Sequence, residues 1–326
     1  MADATKKRKV VSYAKYGYIF IAPFFIVYAI FMIYPLINTI ILSFKGNSSN
    51  PNDFVGLLNY QYLLVGDPSA EAGAISAGNA IRDDFWTSMG NTVLLWAGNF
   101  VVQIVLSLLL AVWFSDARIK IKGVGFFKVI MYLPNIVTAS SVAALFVLLF
   151  GNSKYGVVND VLIKMGAISE SNPIAFLNGN VSPRIIVMLI QSWMWFGNTM
   201  LLLLSGIFGI DPSIYEAAEI DGSSGVNTFF RITMPILKPI FIYVFITSMI
   251  GGLQMFDIPY LFKEGNNVTP SIKTAAVFIY DNFHQVSPNY GYSAAASVIM
   301  FIITAALGLL VYRFNSDSSP KKKKKK

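Results

Sequence analysis

Asp211-Pro212-Ser213-Ile214-Tyr215-Glu216-Ala217-Ala218-Glu219-Ile220-Asp221-Gly222 leads through Ser223 to Arg231 and on to Ile232-Thr233-Met234-Pro235, a polar interval between two long apolar stretches. Its chemistry predicts a short helix with Asp211 as N-cap and Pro212 at the first helical position, where a missing N–H costs nothing. Gly222 is placed to end that helix in the left-handed region that glycine enters without strain. A second short helix, about 225–232, should run to Pro235 and into the next apolar stretch. Residues 211–235 are therefore expected to form a helix–turn–helix knob.

The flanking sequence is far too apolar for a soluble domain of this length: 55% of residues are hydrophobic, 13% are charged, and the mean hydropathy is +0.59. Stretches near 17–43, 88–114, 126–150, 184–209, 238–262 and 291–314 each reach the roughly 20 residues that a helix needs to cross about 30 Å of hydrocarbon. They lack the dyad alternation of barrel strands, so the expected fold is an all-α polytopic membrane protein of six transmembrane helices. Placing both termini in the cytoplasm puts 18 of the 25 Lys and Arg on that side, and 12 against 7 when the closing run Lys321 to Lys326 is set aside. The positive-inside rule selects that orientation and makes the knob cytoplasmic.

The expected organisation is a basic cytoplasmic N-terminus over 1–16, a first transmembrane helix and long outer loop over 17–87, a core over 88–314, and a basic tail over 315–326. The outer loops carry turn signals such as Asn50-Pro51-Asn52-Asp53, Asn172-Pro173 and Asn178-Gly179-Asn180. The first apolar stretch is too long for a signal-peptide core and has no small-residue cleavage site behind it, so it is expected to be retained.

Several classes of chemistry find no residues here. Cysteine is absent, which excludes disulfides and thiolate metal sites, and the lone histidine, His284, sits in a predicted loop. There is no metal-ligand cluster, no paired acid and base, and no Gly-x-x-x-x-Gly-Lys-Ser/Thr phosphate cradle, so the chain is expected not to be an enzyme. Lys6-Lys7-Arg8-Lys9 resembles a polyanion-binding run, but it directly precedes an apolar stretch and reads as a topology anchor rather than a nucleic-acid site.

Polar side chains inside a span are costly and turn toward a cavity or another helix. Gln191, Trp195 and Asn198 share one face of the fourth stretch; Gln254, Asp257 and Tyr260 share one face of the fifth; Asn135, Thr138 and Ser141 form a stripe in the third. Amides and a carboxylate beside aromatic rings suit a sugar, whose C–H faces stack while its hydroxyls hydrogen-bond. The same residues would serve equally as interhelical glue. Asp257 has a further alternative as a proton relay, without a basic partner nearby.

Glu216-Ala217-Ala218, Gly222, Ile232 and Pro235 resemble, in identity and spacing, the EAA loop of bacterial binding-protein-dependent ABC importer permeases, with Met234 where leucine is usual. Phe54-Val55-Gly56-Leu57-Leu58-Asn59-Tyr60 and Tyr132-Leu133-Pro134 are similar to further signatures of the sugar-type permeases; the interval Gly66 to Asp84 matches no usual pattern. The resemblance implies the type I importer permease fold, placed in the bacterial cell membrane. It also implies a second, different permease, two copies of a cytoplasmic ABC ATPase carrying ATP and Mg, an extracytoplasmic solute-binding protein, and a sugar or oligosaccharide substrate moved by alternating access. No cofactor would be bound by this chain. Tyr215, Glu216, Ala217, Ala218, Asp221, Gly222, Ile232 and Pro235 would then couple to the ATPase, with the small alanines entering a cleft and Glu216 meeting an arginine there. In that family the substrate site lies between the last few spans, which favours Gln254 and Asp257 over Asn135. The alternatives are an ABC permease for a non-sugar solute, and an ion-coupled carrier, which would show repeat symmetry and discontinuous helices.

Overall fold

The computed structural model describes residues 14–47, 51–67, 69, 76–116, 122–263 and 268–316. Both basic terminal runs and residues 70–75 of the unmatched interval lie outside the described residues.

The chain enters through α1 (Ala14–Tyr28) and α2 (Tyr34–Leu42), joined by a π-helical turn at Ala29–Ile33. A second π turn, Phe229–Thr233, joins α10 (Gly225–Thr228) to α11 (Met234–Leu253). Each π turn ends two residues before a proline, Pro35 in one case and Pro235 in the other. A proline cannot donate to the carbonyl four residues back and its ring collides with it, so widening the preceding turn carries the helix past the proline unbroken.

Between these come α3 (Leu58–Leu64), α4 (Ala77–Ser115), α5 (Val124–Ile136), α6 (Ala139–Leu149), α7 (Val157–Lys164), α8 (Ser182–Phe208) and α9 (Pro212–Ile220). After α11 follow α12 (Asp257–Leu261), α13 (Ala275–Phe283) and α14 (Tyr290–Ser316). Helices Tyr16–Leu42, Ala77–Ser115, Ser182–Phe208, Gly225–Leu261 and Tyr290–Arg313 are long and apolar enough to span a membrane.

Three expectations need correction. The stretch 126–150 is not one straight helix: α5 and α6 meet at 91°. Pro134 removes a hydrogen bond from the last turn of α5, Val137 and Thr138 are extended, and Thr138 starts α6 afresh by accepting from the Ser141 N–H at 3.4 Å. The fifth span is interrupted as well, because Gln254 to Phe256 leave helical geometry before α12. Finally, the first long loop ends near Ser76 rather than 87. Ser76 accepts from the Asn79 N–H at 3.2 Å and starts a 39-residue helix, so the end of the unmatched interval, Ala77 to Asp84, is the first part of α4.

Helix α8 is the centre of the bundle, with 56% of its most apolar window buried, whereas the first span's window is 0% buried and meets the body where α2 lies against α14. A polar ladder fastens α4 to α8. Ser192 Oγ donates to Asn99 O at 3.0 Å, Gln103 Nε2 to Thr199 Oγ1 at 2.7 Å, and Ser107 Oγ to Phe196 O at 2.7 Å. In an apolar surrounding such bonds guide helix association because lipid offers no alternative partner. On the other flank α8 touches α5 through Gly197, where a Cβ would lie only 2.1 Å from the carbonyl oxygen of Met131. At the end away from the knob, Arg184 donates to Asn91 Oδ1 (2.8 Å) and Ser271 O (3.0 Å), while Lys273 pairs with Asp84 at 2.7 Å. These contacts bolt the segment after α12 onto α4 and α8.

Candidate functional site

The knob is built as its local chemistry dictates. Asp211 accepts from the Ser213 N–H at 2.9 Å, and that backbone bond holds its carboxyl below the usual carboxylate range. Gly222, at φ +72°, closes α9 while the Ser223 N–H reaches back to Ala218 O at 2.9 Å. Ser224 then caps α10, accepting from the Asn227 N–H at 3.3 Å. The second helix of the knob does not stop near 232; it continues as α10, the π turn and α11, so the knob is rigidly joined to a membrane span. Tyr215 ties its two arms together through a 3.1 Å hydrogen bond between its hydroxyl and that of Thr233.

Side-chain directions divide the loop residues in two. Glu216, Ala217, Asp221, Gly222 and Pro235 are exposed, and Tyr215 and Ile232 are half-buried. Ala218 is turned inward and 6% exposed, so its small size serves packing inside this chain rather than entry into a cleft. The apolar face offered outward is made by Ile220 (86% exposed), Val226 and Phe230, none of which the motif spacing singled out.

The second site is a cavity of about 320 Å³ between α4, α8, α11 and the interruption before α12. Gln191, Trp195 and Asn198 reach it from α8; Gln254 and Asp257 reach it from the break. Tyr260 is not among its lining residues: it stacks on Phe256, which does line the cavity, with ring centroids 4.9 Å apart. The third stripe lies elsewhere. Asn135 Nδ2 donates to Met194 O at 3.3 Å, fastening α5 to α8, and Thr138 and Ser141 are absorbed in capping α6. The cavity also recruits Asn99 and Gln103 from α4 and Tyr243 and Thr247 from α11. Each of these pairs is four residues apart on one helical face, and the periodicity that grouped Gln191 with Trp195 would have found them too.

The break is what gives the cavity its polarity. Interrupting α11 at Gln254 exposes backbone and polar side chains at a depth where only a protein-lined recess tolerates them. Gln254 and Asp257 are exposed to that recess, Gln191 is buried in its wall, and Trp195 and Tyr243 present half-free rings. Amide donors and acceptors, one carboxylate and aromatic faces together line the recess.

This architecture is shared with solved transporters. A bacterial ABC transporter described as importing the acidic polysaccharide alginate contains a chain with TM-score 0.75 to this one, at 20% identity, covering 94% of this chain and 96% of that one. Residues 103–323 match the family described as the binding-protein-dependent transport system inner membrane component, and the chain belongs to that family. Along 91% of its length it is 30% identical to the lactose transport system permease protein of Rhizobium radiobacter, covering 92% of that protein. It is 29% identical to the arabinooligosaccharides transport system permease protein of Bacillus subtilis (strain 168), covering 92% and 88% of the two chains. The trehalose/maltose transport system permease protein of Thermococcus litoralis is 29% identical, with coverage of 93% and 96%. The chain is thus a multi-pass membrane permease of a binding-protein-dependent transport system.

Proposed function

We infer that this chain is one half of the translocation path of an ATP-driven importer for a sugar or oligosaccharide. The observation that carries the sugar assignment is the cavity at the α11–α12 break, where Gln191, Asn198, Gln254 and Asp257 stand beside the rings of Trp195 and Tyr243. Relatives whose names specify lactose, arabinooligosaccharides and trehalose/maltose support it. Both termini face the cytoplasm on the charge asymmetry, so the knob projects inward and the cavity opens between the membrane faces.

On this reading residues 211–235 seat in a separate ATPase subunit that binds ATP and Mg, with Glu216 forming a charge-assisted pair and Ile220, Val226 and Phe230 burying apolar surface. A second, different permease supplies the other half of the path, a second ATPase completes the motor, and an extracytoplasmic binding protein delivers the sugar. Closure of the ATPase pair moves the two knobs together. Because α10 and α11 form one helix through the π turn, that movement is passed as a rigid-body shift to the wall of the cavity. Asp257 acts here as a hydrogen-bond acceptor for hydroxyls. Helix discontinuity does not separate an importer from an ion-coupled carrier in this chain, since two helices are broken; family membership decides it.

The deciding experiment reconstitutes the intact assembly in proteoliposomes and measures ATP-dependent uptake of labelled lactose, maltose, trehalose and arabinotriose. Uptake of at least one of them, with saccharide-stimulated ATP hydrolysis, is expected. ATP-dependent uptake of amino acids or peptides with no response to the saccharides would overturn the sugar assignment.

A further inference from the structure

The break before α12 leaves a backbone carbonyl to be satisfied, and the sequence says which one. In a continuous helix Met255 O would accept from the N–H of residue 259, but residue 259 is proline and has none. Thr274, 19 residues further on and 0% exposed, supplies the donor instead: its Oγ1 donates to Met255 O at 2.7 Å. The same hydroxyl accepts from the Val277 N–H at 3.4 Å to cap α13, a much longer contact, so the bond to the break is the stronger of the two. Helix α4 holds this tie in place. Asn91 Nδ2 donates to Pro270 O at 2.8 Å and to Lys273 O at 3.0 Å, and the Ala275 N–H donates to Thr92 Oγ1 at 2.9 Å, so the main chain is fixed on both sides of Thr274. One turn further along α4, Trp96 supports the near side of the break. A Cβ on Gly252 would stand 2.1 Å from its ring, and its Nε1 donates to Ser248 Oγ at 3.2 Å. Gln254 lies between these two holds and Asp257 two residues past the second, and both line the cavity together with Met255.

We propose that Thr274 is a positioning residue for the saccharide site: through Met255 O it fixes the direction in which Gln254 and Asp257 face the cavity, and Asn91 and Thr92 hold Thr274 itself. The proposal rests on the sugar-importer reading above. Residues in an interrupted helix have no continuous hydrogen-bond ladder to set their backbone angles, so the place of one carbonyl decides where the neighbouring side chains point. A binding constellation works only when supporting hydrogen bonds keep it within about 0.5 Å of its productive geometry, and Thr274 gives that support from the backbone side without touching the solute.

The test supplies the reconstituted assembly and its binding protein with labelled lactose, maltose, trehalose and arabinotriose, and measures saccharide delivered per ATP hydrolysed. Thr274→Val keeps the side-chain shape and removes the hydroxyl; it is expected to lower that ratio about fivefold, the equivalent of one hydrogen bond, while ATP hydrolysis stays within about twofold. Thr274→Ser, which keeps the hydroxyl, should restore the ratio. Thr92→Val leaves the Thr274 hydroxyl and the α13 cap in place and releases only Ala275, so it should lower the ratio by a smaller factor, about twofold, and it carries the test alone if Thr274→Val does not assemble. A residue that served only the fold would move uptake and hydrolysis together. An unchanged ratio in Thr274→Val, or in Thr92→Val where it stands alone, overturns the positioning role and leaves the cavity as the sugar site. A wild-type assembly that transports none of these saccharides overturns the sugar reading and, with it, the role of Thr274 toward that substrate.

Discussion

The knob and the cavity are stabilised in opposite ways. Within the knob, cap, stop and cross-brace all lie between Asp211 and Thr233, and each bond joins residues close in sequence. The cavity draws its wall from α4, α8, α11 and α12, and the hydrogen bonds that hold those helices join residues about a hundred positions apart, such as Gln103 with Thr199. A local unit tolerates change on its exposed face without losing shape; a wall assembled over long range transmits any misfit into the space it encloses. The two regions should therefore fail differently when altered, and that difference can be measured.

The largest effect is expected at the knob. Glu216 is exposed, so Glu216→Lys should leave membrane insertion and thermal unfolding unchanged while substrate-stimulated ATP hydrolysis falls to background. On the proposed docking, a charge reversal would convert an attraction for a cationic partner into a repulsion at the same place. Hydrolysis at the wild-type rate in that variant would remove Glu216 from the coupling surface.

Next is a change in the scaffold of the cavity. At Gly197 even an alanine methyl would stand 2.1 Å from a backbone oxygen of α5, and backbone cannot rotate away as a side chain can. Gly197→Ala should force α8 and α5 apart and destabilise the chain on the order of 3 kcal/mol, read as a lowered thermal midpoint of the detergent-solubilised assembly. ATPase affinity for the assembled fraction should not change, since the knob is built without α5. A loss of that affinity would show that the two regions are not independent.

Inside the cavity, Asp257→Ala should raise KM for the transported saccharide roughly 10- to 100-fold, as expected for a lost hydrogen bond to a charged acceptor. Its carboxylate is exposed to the recess, so the thermal midpoint should hold. A lowered midpoint with unchanged KM would assign Asp257 to the start of α12 instead of to substrate.

How far each region could be read from sequence follows the same division. Asp211, Pro212 and Gly222 announce the first arm of the knob because capping and left-handed glycine are rules about neighbours. Ala218 misleads for the opposite reason: its burial depends on what lies beneath α9, which spacing does not report. In the membrane, apolar length locates the spans but not their interruptions. Tyr132-Leu133-Pro134 marks the α5–α6 bend only to a reader who asks where the freed carbonyl goes, and Gly251-Gly252 hints at the weakness before Gln254. Helical periodicity gathers Gln191, Trp195 and Asn198 correctly onto one face. It places Tyr260 with Asp257 because it assumes an unbroken helix, whereas the break turns Tyr260 toward Tyr280.

The smallest effect separates the knob's shape from its surface. Gly222 holds φ +72° with nothing within 4 Å of where a Cβ would sit, so Gly222→Ala introduces backbone strain and no collision. The left-handed conformation costs a residue with a Cβ about 1 kcal/mol, which should loosen α9 locally without unfolding the membrane spans. Amide exchange in residues 212–224 should accelerate about fivefold, the equivalent of that energy, while exchange in α8 is unchanged. Coupling should weaken only slightly, because Glu216 and the apolar face are intact for most of the time. If exchange also quickened along α11, the strain would be travelling through the π turn into the cavity wall, and the knob would have to be regarded as one mechanical piece with the span that follows it.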